Sequence, residues 1–365
     1  MRFTIITRYY QPTPDGIAHH SSYIYDYLAQ LGHSVQVIYD DGIISLIPKE
    51  VNLLVNKINR QKPDWIIFQF NGYSYNRFGA PYWLGNLFKK ITSNPNIKLC
   101  LIIHETYIRK DKSIKLRIYR FLQKRALRIS SKYAHLILTT THLYQSRLSR
   151  LYRNSHLFFT PSNFEKYIND LPWINQKSDQ IILGTFGNRN PQFLLSVLEQ
   201  LEIKQLKCSF FFIGIYQPAY IRLIKEYSQK LKFIEISRTG KLTDRNIVNY
   251  LNQLDAFILL EQVREDGGGG LNTKSGSSAT ALCMGIPIFS TKGDFTNSQV
   301  YEDGKNYILL DHKDFKVSAH SIYEMLKNKD LLNQIGLNGQ KLYRDQFSWN
   351  HYMSKMMELI NNFNK

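Results

Sequence analysis

The feature that most limits the fold of this chain is a recurring order of short, β-branched apolar runs, each followed by a stretch of helix length. RFTIIT is the first run; a loop with Pro12, Pro14 and Gly16 follows, and SSYIYDYLAQLG then has helical spacing closed by Gly32. HSVQVIYD completes a strand, turn, helix and strand within about 40 residues, which is a right-handed βαβ unit. DWIIFQF, KLCLIIH and AHLILTT continue the series. Such uninterrupted apolar strands belong in a parallel sheet covered by helices on both faces. The order starts again after Trp173, with strands in QIILGTFG, CSFFFIGI, KFIEIS, DAFILL, IPIFST and YILL. Two α/β halves of similar size are therefore predicted, with a boundary near 165–175 and EKYINDLPWINQKSDQ as the linker.

A chain of 365 residues with 43% hydrophobic content can bury two cores of ordinary size. The apolar run in MRFTIITRYY is too short for a signal peptide, and no stretch approaches the ~18 apolar residues of a membrane span. Cys100, Cys208 and Cys283 form no C-x-x-C pair, which suits core positions in the reducing cytoplasm. The net charge of +18 is uneven: residues 1–170 hold 24 Lys/Arg against 10 Asp/Glu, whereas 171–365 hold 23 against 19. Ten of the basic residues lie in 105–132, opposed only by Glu105 and Asp111. That asymmetry points to nucleic acid, an anionic membrane surface or an acidic substrate. From Lys115 onward, Leu116, Tyr119, Leu122, Ala126 and Ile129 make an apolar stripe, and Arg117, Arg120, Lys124 and Arg128 a cationic one. Aromatics and cations do not alternate as in a stacking platform, so nucleic acid is not the expected partner.

Residues 267–277, GGGGLNTKSGS, fit the P-loop pattern from Gly268 to Ser275 except at Thr273. The glycines begin seven residues after the strand DAFILL, and the helix SSATALCM is short, so this is not the strand-to-helix wrap of a P-loop. What fits better is a flexible glycine approach, Lys274, and a helix start at Gly276 and Ser277 whose open N–H groups suit a diphosphate. The competing reading is a plain loop before a core helix. Arg189 follows Gly187 and Asn188 at the turn after IILGTF, and His104 ends KLCLIIH where α/β sheets receive ligands. His20 lies inside the first helix.

Taken together these pieces resemble a GT-B fold glycosyltransferase, most closely retaining family 4, the glycosyl transferases group 1. TRYYQPTPDGIAHHSSYIYDYLAQLGHSVQVI is similar to the family's opening strand, glycine loop, helix and G-H-x-V strand. LIIHE, AHLILTTTHLYQSRL, TPSNF, GTFGNRNP, ALCMGIPIFST, EDGKNYILL and FSWNHYMSKMMELI follow in the family's order. The resemblance implies two Rossmann-like doubly wound domains facing a cleft. Residues 1–168 would receive the acceptor, 169–346 the nucleotide-sugar donor, and 347–365 would form a helix returning to the first domain. It implies transfer of a sugar, with retention, from a nucleoside diphosphate donor (a UDP-sugar) to a glycan or lipid-linked acceptor. Neither cofactor nor metal is implied, and the setting would be the inner membrane face during surface polysaccharide or glycoconjugate synthesis.

On the same grounds Arg189 and Lys274 would offset charge on the leaving diphosphate, and His104 would contact the donor sugar or orient the acceptor. Gly16, Gly187, Asn188, Gly276 and Ser277 would line the donor. The family commonly carries E-x7-E, but Asn272 and Thr280 stand at those positions. Glu265 or Asp266 would then be the donor-sugar carboxylate, and Thr280 would reach the ribose. In a transferase of this type the cationic stripe Arg117, Arg120, Lys124 and Arg128 would rest on an anionic bilayer. The rival expectation is a non-catalytic GT-B protein that binds or stabilises an active partner.

Overall fold

The computed structural model describes residues 1–11, 15–40, 46–110, 112–149, 152, 155–169, 180–260, 263–265 and 267–363. They divide into two compact units, Met1–Phe159 with Met353–Lys365, and Thr160–Tyr352.

The first unit is built on β1 (Arg2–Ile6), β2 (Ser34–Ile38), β3 (Trp65–Phe70), β4 (Lys98–Ile103), β5 (Leu136–Thr139) and β6 (Ser155–Leu157). All pairs are parallel, in the order β2-β1-β3-β4-β5-β6. Helices α1 (Gly16–Gln30), α2 (Val51–Gln61), α3 (Gly72–Tyr75), α4 (Trp83–Thr92), α5 (Ile114–Ser131) and α6 (His142–Ser149) supply its connections. Asp15 starts α1 by accepting from the N–H groups of Ile17 and Ala18. Gly32, at φ +76°, lies just beyond its end, where the left-handed turn favours glycine. Every residue of β3 is buried, which explains a strand with no polar alternation except Gln69. Trp65, Phe68, Phe70 and Phe88 are fully buried, each burial worth roughly 1.5–3 kcal/mol.

The second unit starts with α7 (Glu165–Asn169) and carries β7 (Ile181–Phe186), α8 (Gln192–Ile203), β8 (Cys208–Ile213), α9 (Pro218–Lys230) and β9 (Ile234–Gly240). It continues through α10 (Asp244–Leu251), β10 (Ala256–Leu259), α11 (Gly276–Cys283), β11 (Ile288–Thr291), β12 (Ile308–Leu310), α12 (Phe315–Lys327) and α13 (Lys329–Leu342). Its strand order is β12-β11-β10-β7-β8-β9, all parallel. Both sheets have a switch point, between β1 and β3 in one and between β7 and β10 in the other, where doubly wound folds bind ligands at the strand ends.

Helix α14 (Trp349–Phe363) ends the described chain, and its part from Met353 onward belongs to the first unit, as the sequence implied for the tail. There Met353, Met356 and Ile360 are buried, Phe363 meets Trp65 edge-on, and Lys355 donates to the carbonyl of Leu157. No helix among the described residues is long and apolar enough to cross a membrane.

Candidate active site

In the second unit the site grows from the end of β7. Gly187 takes φ +103°, and a Cβ there would stand 2.7 Å from Arg189 Nη1, so glycine both makes the turn and clears the guanidinium. Arg189 Nη1 donates to the carbonyl of Phe186 at 2.6 Å and reaches Ser277 Oγ at 3.4 Å. Its Nη2 reaches Ser275 Oγ, also at 3.4 Å. Ser275 is the N-cap of α11 and accepts from Ser278 N–H. Arg189 and the start of α11 are therefore brought together at the β7/β10 switch point. The N–H groups of Gly276 and Ser277 have no acceptor in the described chain, and a Cβ on Gly276 would meet nothing within 4 Å. A guanidinium, two hydroxyls and two open amides are thus gathered at one helix N-terminus, a set of donors chemically suited to an anion.

The glycine tract has another explanation from the flexible approach expected of it. Gly267, Gly269 and Gly270 take φ of +78°, +116° and +80°. A Cβ on Gly270 would lie 2.2 Å from Gly293 N, and one on Gly293 would lie 2.4 Å from Gly269 O. The two loops are also bonded backbone to backbone, from Asp294 N to Gly267 O, Phe295 N to Gly269 O and Leu271 N to Thr291 O. Gly267, Gly269 and Gly270 are thus called for by their left-handed backbone, and Gly270 also by direct packing of chain on chain. Lys274 Nζ lies 5.6 Å from the centre of the Phe295 ring, on the loop these contacts hold.

Other expected residues fall elsewhere. Asn188 is exposed, its Oδ1 accepting from Gln217 N–H, and Glu265 sits on the exposed tip of the hairpin bridged at Val263 and Gly269. Asp266 lies outside the described residues. Thr280 does not face the open end of α11: it is fully buried, donates to Gly276 O at 2.7 Å and pairs with Ser162 Oγ at 2.9 Å. A hydroxyl so committed has no proton left for a ribose.

In the first unit His20 on α1 and His104 after β4 meet through Gln69 of β3. Gln69 Nε2 bonds His20 Nδ1 at 3.2 Å, Gln69 Oε1 bonds His104 Nε2 at 2.6 Å, and the two rings stand edge to face at 5.3 Å. With the amide in this orientation both imidazoles carry their proton on Nε2, because Gln69 donates to one Nδ1 and accepts from the other ring's Nε2. Burial, then the neighbouring His104, hold the His20 pKa well below the ordinary histidine value, so it is a neutral support. Gly16 opens α1, but the amides of Ile17 and Ala18 are already taken by the Asp15 carboxylate, which disfavours an anion there. Gln69 was not singled out by the sequence, although a lone amide inside DWIIFQF was the signal available. Ser275 was passed over beside the more conspicuous Lys274.

On α5, Arg117, Lys124 and Arg128 are exposed as expected. Arg120 is not: its Nη1 donates to Ile108 O at 2.6 Å and its guanidinium lies 4.7 Å from the centre of the Tyr107 ring. The apolar stripe faces inward with Ala126 buried, while Ile114, Ile118 and Phe121 stand outward at 74%, 52% and 62% exposure.

A family model described as glycosyl transferases group 1 matches residues 163–342. This unit belongs to the glycosyl transferases group 1. The whole chain has the GT-B fold, for it aligns over nearly its full length with solved structures of that kind. Sucrose-phosphate synthase from Thermosynechococcus elongatus superposes with a TM-score of 0.68 at 14% identity, covering 99% of this chain and 98% of the other. A glycosyltransferase from Rickettsia africae gives 0.68 at 14%, covering 100% and 98%. Anabaena HepE, solved with UDP and glucose, gives 0.67 at 13%, covering 99% and 100%. No curated protein matches the chain in sequence. The glycosyltransferase domain therefore contains Arg189, Ser275, Ser277 and Lys274 together, and the His20–Gln69–His104 group lies in the other unit.

Proposed function

We propose that the chain transfers a sugar from a UDP-sugar to an acceptor, the second unit holding the donor and the first receiving the acceptor. The observation that carries this reading is the junction of Arg189 with the start of α11: two guanidinium nitrogens on Ser275 and Ser277, beside the unpaired amides of Gly276 and Ser277. As the bond from the sugar's anomeric carbon to the β-phosphate oxygen breaks, negative charge grows on the departing diphosphate. Preorganised donors aimed at that charge lower the barrier without a metal ion being required. Lys274 adds a second cation, and His104, fixed by Gln69, offers the sugar or acceptor a group of defined tautomer. UDP is favoured as the leaving group because the similar Anabaena protein was solved with UDP and glucose. Retention rests on the family resemblance, with the leaving phosphate taking the acceptor's proton.

The acceptor side is proposed to meet an anionic membrane through α5. That helix carries no acidic residue, and Ile114, Ile118 and Phe121 recur at i, i+4 and i+7 on its outward face beside Arg117, Lys124 and Arg128. Apolar insertion and cation attraction then act along one edge, each cation contributing roughly 1 kcal/mol near an anionic surface. A non-catalytic role beside an active partner is favoured by one observation, the buried and committed Thr280 where the family has a carboxylate. The two readings separate in a thermal-shift panel of UDP, GDP, ADP and TDP followed by turnover of the matching UDP-sugar. Binding with slow hydrolysis or transfer supports the enzyme; binding without any turnover supports the partner protein.

A further inference from the structure

The loop that leaves β4 beyond His104 is held by two arginines from different helices. Arg147 of α6 donates from Nη1 to Thr106 Oγ1 at 2.9 Å and to Tyr107 O at 3.0 Å. Arg120 of α5 donates from Nη1 to Ile108 O. Both guanidiniums lie over the same ring, 4.7 and 4.8 Å from the centre of Tyr107. Gln123 fixes the loop from a third point, accepting from Ile108 N–H and donating to Tyr73 and Phe78.

Clamping a loop does not by itself call for this arrangement. Neutral amides would serve the three carbonyl and hydroxyl acceptors, as Gln123 does. Two half-buried cations on one ring repel each other, and no salt bridge to either is found among the described residues. Burial lowers the Arg147 pKa, and Arg120 and Arg109 lower it further, while only Tyr107 and Tyr144 favour its charge. The bonds described use Nη1 alone, so each fork keeps Nη2 and Nε for another acceptor. Planar forks of this kind match the oxygens of a phosphoryl group, and a third arginine, Arg109, lies on the same loop.

We propose that Arg120 and Arg147, set around Tyr107, form a binding site for a phosphoryl group of the acceptor. The site rests on the proposed function for its place in the reaction, since it opens three residues beyond His104 in the acceptor unit. It is separate from the donor anion site, which lies in the other unit. The phosphoryl group is either that of a soluble sugar phosphate or that of a lipid anchor.

The test uses the full chain in an Arg189→Gln background, so that phosphate bound at the donor site does not contribute. Methyl phosphate is titrated by calorimetry, and phosphatidylcholine vesicles with and without dihexadecyl phosphate are tested by flotation. Arg120→Gln and Arg147→Gln should each weaken binding of the preferred probe at least about tenfold, Arg147→Lys should lose less, and Lys89→Gln on an exposed face should lose nothing. The preferred probe names the source, soluble or lipid-borne. Should Arg147→Gln fail to fold, Arg120→Gln decides alone. Absence of saturable binding to either probe, or binding unchanged in the folded glutamine variants, would overturn the site. UDP titration of the parent is read separately: if phosphate binds here but UDP binds nowhere, the site stands and the transferase reading falls.

Discussion

Arg189 and His20 are both held by their neighbours, but toward opposite ends. Arg189 sits at a turn where Gly187 makes room for its guanidinium and two serines of α11 meet it. His20 is buried without charge, tied to Gln69 and edge-on to His104. Its depressed folded pKa has a consequence for stability. Below the ordinary histidine pKa of about 6.5 the unfolded chain takes up a proton that folded His20 refuses, so the folded state loses stability as pH falls. The slope has an upper bound of about 1.4 kcal/mol per pH unit for one group. Thermal melts of the parent should therefore decline from pH 7.5 to pH 5, and those of a His20→Asn variant should decline less. Identical slopes would show that His20 is not excluded from protonation. The sequence named both histidines but not their connection, because the contact crosses 49 residues to Gln69 and a further 35 to His104.

At the scale of elements, the apolar runs named the strands well, and each of those expected from the sequence is present. The short β6 was not foreseen, since SHL has neither length nor β-branching to announce a strand. The glycine tract was misread for a physical reason: its partner, the Lys292–Phe295 loop, follows at a distance, and only folding shows backbone against backbone. Gly270→Ala should accordingly destabilise the protein by several kcal/mol, since its φ is +80° and the added Cβ would meet backbone at 2.2 Å. Gly276→Ala should leave the melt almost unchanged, with open space at its Cβ. Equal melts for the two variants would contradict the packing account. On α5 helical spacing located the cations but could not show that Arg120 turns inward or that Ile114, Ile118 and Phe121 turn outward. Ile118→Glu with Phe121→Glu should abolish flotation with anionic vesicles and leave the melting temperature within error. Arg117→Glu with Lys124→Glu should weaken it in a salt-dependent way, as charges screened beyond about 10 Å at 0.1 M salt must. Flotation indifferent to both pairs would remove the membrane face.

For the whole molecule, two sheets of six parallel strands each carry their own chemistry, and each has one switch point. The first presents paired imidazoles and an arginine pair, the second a guanidinium and an open helix start. This division was legible from the repeated strand order and from the uneven charge, whereas the individual donors were legible only where a turn residue such as Gly187 marked them. The central claim is that Arg189 and the start of α11 seat the diphosphate of a UDP-sugar. Calorimetric titration of UDP and UMP into the parent and into Arg189→Gln tests it most directly. The parent should bind UDP more tightly than UMP, and Arg189→Gln should lose a charge-assisted contact of roughly 1.5–3 kcal/mol, about 10- to 150-fold in affinity, selectively for UDP. Lys274→Ala should lose affinity in the same direction. No binding of UDP at millimolar concentration, or equal affinity in the parent and Arg189→Gln, would contradict the account.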